Sequence, residues 1–187
     1  MICIGRILAL PLTLVGVVAC GGAPAVEVPA NEVEIPVKRY ISFYFNDYRR
    51  GLPGESQLPK LASFVTPELL ALFEAANRGE DCYARQSNYE GPPAIEGDLF
   101  TSLFEGATSA TYREIARDAD TATFEIEWTF HDEHLSPEPF TWQDRVFLAN
   151  TRNGWRIADF AHDGDWEFMK DASVSQILQA VANECES

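Results

Sequence analysis

His131, Asp132, Glu133 and His134 stand in a row, and His162-Asp163-Gly164-Asp165 adds a third imidazole with two further acids. Zinc accepts these ligand types, but it needs three or four of them converging on one point. The first group falls between two predicted strands, where no helical turn brings the i and i+3 rings to one face, so solvated polar surface is the preferred reading. Calcium at Asp163, Asp165 and Glu167 is weaker still, without the central glycine and distal bidentate glutamate of an EF-hand loop. His131, His134 and His162 therefore stay weak candidates, and neither a metal nor a cofactor is expected.

Asp144 breaks the apolar alternation Phe140, Trp142, Val146, Leu148, and Asp159 follows Trp155 and Ile157 in the same way. An odd-sum hairpin register across Asn153-Gly154 puts both acids on one side of a sheet. In a concave apolar setting, burial would raise a carboxyl toward the general-base range. Asp144, Asp159, Trp128, Trp142 and Trp155 are thus the candidate pocket. Against it stands a plainer reading: Asp144 marks a bulge or rim and pairs with Arg145, Arg152 or Arg156, and the tryptophans are core rather than a sugar platform. No Ser-His-Asp order, cysteine nucleophile or glycine-rich phosphate loop is evident, so no catalytic residue is assigned.

The elements that position these residues follow from hydrophobic period. Val37, Tyr40, Ile41, Tyr44, Phe45 and Tyr48 have helical spacing that ends before Gly51. A short helical turn is expected within Gln57 to Val65. Thr66-Pro67-Glu68 then supplies an N-cap, a first-turn proline and a first-turn acid for a helix that should stop at Gly79. Glu80 to Gly106 reads as a long ordered loop. After it the period becomes two, with strands expected at Ala110 to Arg117, around Phe124 to Phe130, at Phe140 to Asn150 and at Trp155 to Ala161. Val174, Ile177, Leu178, Val181 and Cys185 form a closing helical stripe, expected to dock on the sheet. The sum is one α+β domain with a curved antiparallel meander covered on one face.

The chain has 187 residues and a formal net charge of −15. That field repels polyanions, which excludes nucleic acid as a natural partner. Ile7 to Val18 is apolar and uncharged, follows Arg6 and leads into Val17-Val18-Ala19-Cys20-Gly21-Gly22. It is too short to span a bilayer and has the three parts of a secretory signal. Val17-Val18-Ala19-Cys20 resembles a bacterial lipobox. The resemblance implies cleavage after Ala19, a signal peptide of residues 1–19, and acylation of Cys20 by palmitate-type chains. More than one chain makes the anchor stable. Gly21, where an Asp would suggest inner-membrane retention, points to the periplasmic face of the outer membrane. On that reading Cys3 leaves with the signal and Cys20 carries lipid, so Cys82 and Cys185 are expected to form a disulfide in an oxidising compartment. Residues 20–36 read as a lipidated, proline-rich tether with a reach on the order of 50 Å, and 37–187 as the domain.

The Tyr-rich first helix (Tyr40, Phe43, Tyr44, Tyr48), the run Leu61-x-x-Phe64-Val65-Thr66-Pro67-Glu68-Leu69, Gly97-Asp98-Leu99-Phe100-Thr101 and Gly154-Trp155-Arg156-Ile157-Ala158-Asp159 together resemble the DUF3828 family of small envelope domains. The resemblance covers about Lys38 to Ala182 and implies an NTF2-like cone: a curved antiparallel sheet of about four strands, two to three N-terminal helices and a C-terminal helix. It transfers no catalytic motif. The leading expectation is a non-enzymatic lipoprotein that binds an envelope protein, as an accessory subunit or as an immunity-type inhibitor of a cell-wall-targeting toxin; an acidic body suits a basic partner. The alternative is a small-ligand pocket with isomerase or hydrolase chemistry, in the manner of ketosteroid isomerase, whose Asp base sits in an apolar cup.

Overall fold

The computed structural model describes residues 30–134, 137–166 and 172–185. The expected signal peptide, Cys20 and residues 20–29 of the expected tether lie outside them, as does Glu167. Among the described residues, no helix is long and apolar enough to cross a membrane.

Helix α1 runs Ala30–Asn46, so it starts upstream of the expected Val37, and residues 30–36, expected as part of an extended tether, are helix. The buried stripe explains the extension, because Val33 and Val37 are both fully buried, one turn apart. Pro36 removes a single hydrogen bond near the helix start, and burial of its neighbours offsets the loss. After α2 (Leu58–Leu61), Thr66 caps α3 by accepting from the Leu69 N–H at 3.2 Å, with Pro67 at the first helical position. Helix α3 then passes through Gly79 and ends at Gln86, correcting the expected stop. Gly79 is a point of close approach: a Cβ there would overlap the Val181 carbonyl. Residues 80–86 are therefore helix, and the long loop begins after them.

Four strands, β1 (Ser109–Arg117), β2 (Thr121–Phe130), β3 (Phe140–Thr151) and β4 (Gly154–Ala161), form an antiparallel meander in the order β1-β2-β3-β4. Gly154, at φ +85°, closes the β3–β4 turn in a conformation that other residues resist. Phe124, Ile126 and Trp128 of β2 point to the core, while Glu127 between them is exposed. Helix α4 (Val174–Ala182) carries a capping box between Ser173 and Gln176. It packs chiefly on α3 rather than on the sheet, touching β4 less extensively. Helices α1, α3 and α4 all meet the sheet at β4, and the sum is the α+β class expected from the element order.

Candidate functional site

The concave side of the sheet is filled by the chain itself. Residues 95–107 fold back under α1, burying Ile95, Leu99, Phe100 and Leu103 in the core, with the Phe100 ring 5.9 Å from Phe73 and 5.2 Å from Phe160. Three tyrosines at four-residue spacing, Tyr40 and Tyr44 on α1 and Tyr48 just past its end, satisfy that loop's backbone. The Tyr40 hydroxyl donates to the Phe100 carbonyl at 3.2 Å. Tyr44 accepts from the Ala107 N–H at 2.8 Å and donates to Asp98 Oδ2 at 2.8 Å. Tyr48 accepts from the Leu99 N–H at 2.8 Å and donates to the Gly51 carbonyl at 3.0 Å. Burial holds all three phenols in their protonated form.

Asp98 closes this loop on itself, with Oδ1 accepting from the Phe100 and Thr101 N–H groups at 2.8 and 3.1 Å. It is the aspartate turn that a polar residue before a tight bend favours. Burial raises its pKa from 3.8 to about 6, against the pull of its donors and of Arg50. In the sequence Asp98 stands out only as part of the Gly97-Asp98-Leu99-Phe100-Thr101 motif. Its place two and three residues before the N–H groups it binds was the available signal.

Asp144 is 3% exposed and is a clamp rather than a free base. Its carboxylate accepts from the Ser102 N–H at 2.9 Å, the Ser102 hydroxyl, the Asp163 N–H at 2.9 Å and the Trp142 indole at 3.2 Å. Burial pushes its pKa up, and these donors oppose the rise. None of Arg145, Arg152 or Arg156 is among those donors. Arg145 instead forks onto Asp163 across the opposite face at 2.5 and 2.6 Å, and Arg156 bonds the Trp155 carbonyl.

Asp159 does not share this side. The register changes from Leu148↔Ile157 to Phe147↔Asp159, so Ala158 is an extra residue on β4. The bulge turns Phe160 into the core and Asp159 away from it. There Asp159 binds the start of α4, accepting from the Ser175 N–H at 3.0 Å and the Ser175 hydroxyl at 2.5 Å. By the same shift, one step beyond the pair Arg145↔Ala161, His162 stands across from Asp144. His162 is 1% exposed and its Nε2–H donates to the Leu99 carbonyl at 3.0 Å. Burial lowers its pKa despite the nearby Asp144, so the ring is neutral at neutral pH.

Trp128, Trp142 and Trp155 are core residues at 0%, 8% and 5% exposure. His131 and His134 are on the surface, whereas His162 is inside, so the three imidazoles do not meet. Among the described residues no three His, Cys, Asp or Glu side chains are placed to hold a metal. Cys82 is disulfide-bonded. Cys185 ends a short 3-10 turn that packs on α3, the helix bearing Cys82; the Cys185 side chain lies outside the described residues.

No protein-family model, no curated protein and no solved structure matches the chain.

Among the described residues, the other face of the sheet is left open. Arg113, Glu125 and Arg145 lie opposite one another across β1, β2 and β3, with Arg113 and Glu125 in an ion pair at 2.6 Å. The Arg145 guanidinium sits 5.5 Å from the Phe147 ring centre. The neighbouring row is Thr111, Glu127 and Gln143. A shallow cleft of about 340 Å³ opens between the two rows.

Proposed function

We propose that this chain is an outer-membrane-anchored periplasmic lipoprotein, held by acylated Cys20, whose DUF3828-type, NTF2-like domain binds an envelope protein partner without catalysing a reaction. The partner role is that of an accessory subunit or of an immunity-type inhibitor of a cell-wall-targeting toxin. One observation carries this reading: the interior of the curved sheet is occupied by the chain's own 95–107 loop, while the opposite sheet face is charged and, among the described residues, uncovered. The interior acids hold loops, so the groups that a pocket enzyme would use are already engaged. An uncovered face with alternating charge and one arginine–aromatic stack has the composition of a recognition surface. The net charge of −15 steers a basic partner toward it.

Crosslinking of the full-length lipoprotein in the envelope, followed by capture and mass spectrometry, tests the reading. One stoichiometric protein is expected. Glu125→Lys with Glu127→Lys should lose it while circular dichroism shows the fold retained, and Cys20→Ser should release the chain from the membrane. Retention of the partner by the double charge reversal would remove the sheet face from the proposal. Repeated capture of no partner would overturn it.

A further inference from the structure

The two edges of the sheet are treated differently. The β4 edge is closed by its own chain: the Ile157 N–H bonds the Phe64 carbonyl and the Thr66 N–H bonds the Ile157 carbonyl, both at 2.8 Å, and the His162 N–H bonds the Ala172 carbonyl at 2.9 Å. The outer edge of β1 carries no backbone partner among the described residues. Its register against β2 is unbroken from Ser109↔Thr129 to Glu114↔Phe124, and the shift that follows, at Ile115, ends the regular stretch. Such an edge is a template for another strand unless something blunts it.

Charge selects what could pair there. Glu125 is neutralised, with Arg113 ion-paired to it and Arg145 opposite. Glu127 is exposed and faces only Thr111 and Gln143, both neutral, so a cation is missing from its row. A residue added opposite Thr111 would lie about 10 Å from Glu127, two strand spacings away, within reach of an arginine crossing the short threonine. The chain holds such an arginine at the right step of β1 itself: Arg113, whose guanidinium binds its own Glu125 on one side and, with further N–H groups on the fork, would bridge that carboxylate to the Glu127 of a second copy.

We propose that β1 is a self-pairing edge: two copies of this chain join antiparallel about a two-fold axis at Tyr112, making one continuous sheet in which Arg113 of each copy reaches Glu127 of the other. A two-fold axis normal to the sheet pairs only residues on the same face, so Tyr112 meets Tyr112, Thr111 meets Arg113 and Ala110 meets Glu114. Centring on Arg113 instead would oppose two guanidiniums, and centring on Thr111 would place Arg113 beside Ser109, whose row holds no acid. The Tyr112 register is the one that supplies Glu127 its cation, twice by symmetry. The pairing is short, so association is weak at low concentration, and it rises where copies share a surface. It also goes beyond the proposed partner, because it joins the open faces of two domains into one.

Single cysteines in the full chain test the register. A pair across a non-hydrogen-bonded or hydrogen-bonded antiparallel position lies within disulfide reach. Tyr112→Cys is expected to give a disulfide-linked dimer on mild oxidation; Thr111→Cys alone and Arg113→Cys alone are not, but their mixture is. Because Tyr112→Cys removes a packed ring, the wild-type chain supplies a second readout: hydrogen exchange of the Ser109–Glu114 amides should slow as protein concentration rises. Glu127→Gln should weaken that dimer about two- to fivefold for each of the two contacts, roughly tenfold together. Equal crosslinking of all three single cysteines, exchange that ignores concentration, or capture of a different protein by Tyr112→Cys would each overturn the proposal.

Discussion

Replacing Asp98 with asparagine should stabilise the protein at neutral pH, although Asp98 is buried and accepts three hydrogen bonds. The two oxygens have separable duties. Oδ1 takes both backbone N–H groups and Oδ2 takes only the Tyr44 hydroxyl. An amide keeps the first duty with its oxygen, and the phenol can rotate to accept from the amide nitrogen, a rearrangement costing about 1 kcal/mol. The removed cost is larger. Burial raises the Asp98 pKa from 3.8 to about 6, so at about 1.4 kcal/mol per tenfold change in proton affinity ionised Asp98 costs about 3 kcal/mol at pH 7. Between about pH 4 and pH 6 the folded state binds more protons than the unfolded state, so this group's contribution to stability falls as pH rises and is flat above that window. Asp98→Asn should therefore gain about 2 kcal/mol at pH 7, about 1 M in urea midpoint, and lose about 1 kcal/mol at pH 4. Urea unfolding of both proteins at pH 4, 5, 6 and 7, with the disulfide intact, measures the difference. Equal pH slopes, or a variant less stable at pH 7, would refute the reasoning and mean that the three donors hold Asp98 ionised at no net cost.

Asp144→Asn should behave oppositely, losing about 2 to 4 kcal/mol at pH 7, because either oxygen converted to an amide nitrogen faces at least one backbone N–H that cannot turn away; an unchanged urea midpoint would contradict the clamp. Gly79→Ala should cost about 2 kcal/mol through the clash with Val181, despite alanine's better helix propensity, and calorimetry reads the loss. We expect the Cys82 disulfide to close on Cys185, a loop on the order of 100 residues, so its reduction should lower stability by about 4 to 5 kcal/mol. A non-reducing peptide map that links Cys82 elsewhere, or shows Cys185 as a free thiol, would sink that pairing.

Local patterns in the sequence carry much of this fold. The two-residue alternation of β2, the Thr66-Pro67 start of α3 and the glycine turn before β4 each depend on neighbours a few positions away, and the strands fall where their period places them. Gly79 shows where such reading fails: a glycine ends a helix or admits a second helix with the same letter, and only the position of α4 distinguishes the two. The start of α1 is similar, since Val33 extends the helix past Pro36 only when a core exists to bury it.

The candidate site depended most on tertiary structure. Alternation alone assigns Asp144 and Asp159 to one side, and a single inserted residue at Ala158 reverses the second. Period-two parity is lost at a bulge, and a bulge is set by the packing of Phe160 and the docking of α4, neither of which a strand's own letters encode. Likewise, the acid in an apolar row was legible, but whether it faced a cavity depended on what filled the sheet's hollow. The filling is a loop with no period of its own, held by tyrosine hydroxyls from α1 and the residues just past its end, some fifty positions earlier. Residue order records the donors and the acceptors; long-range burial chooses which of them meet.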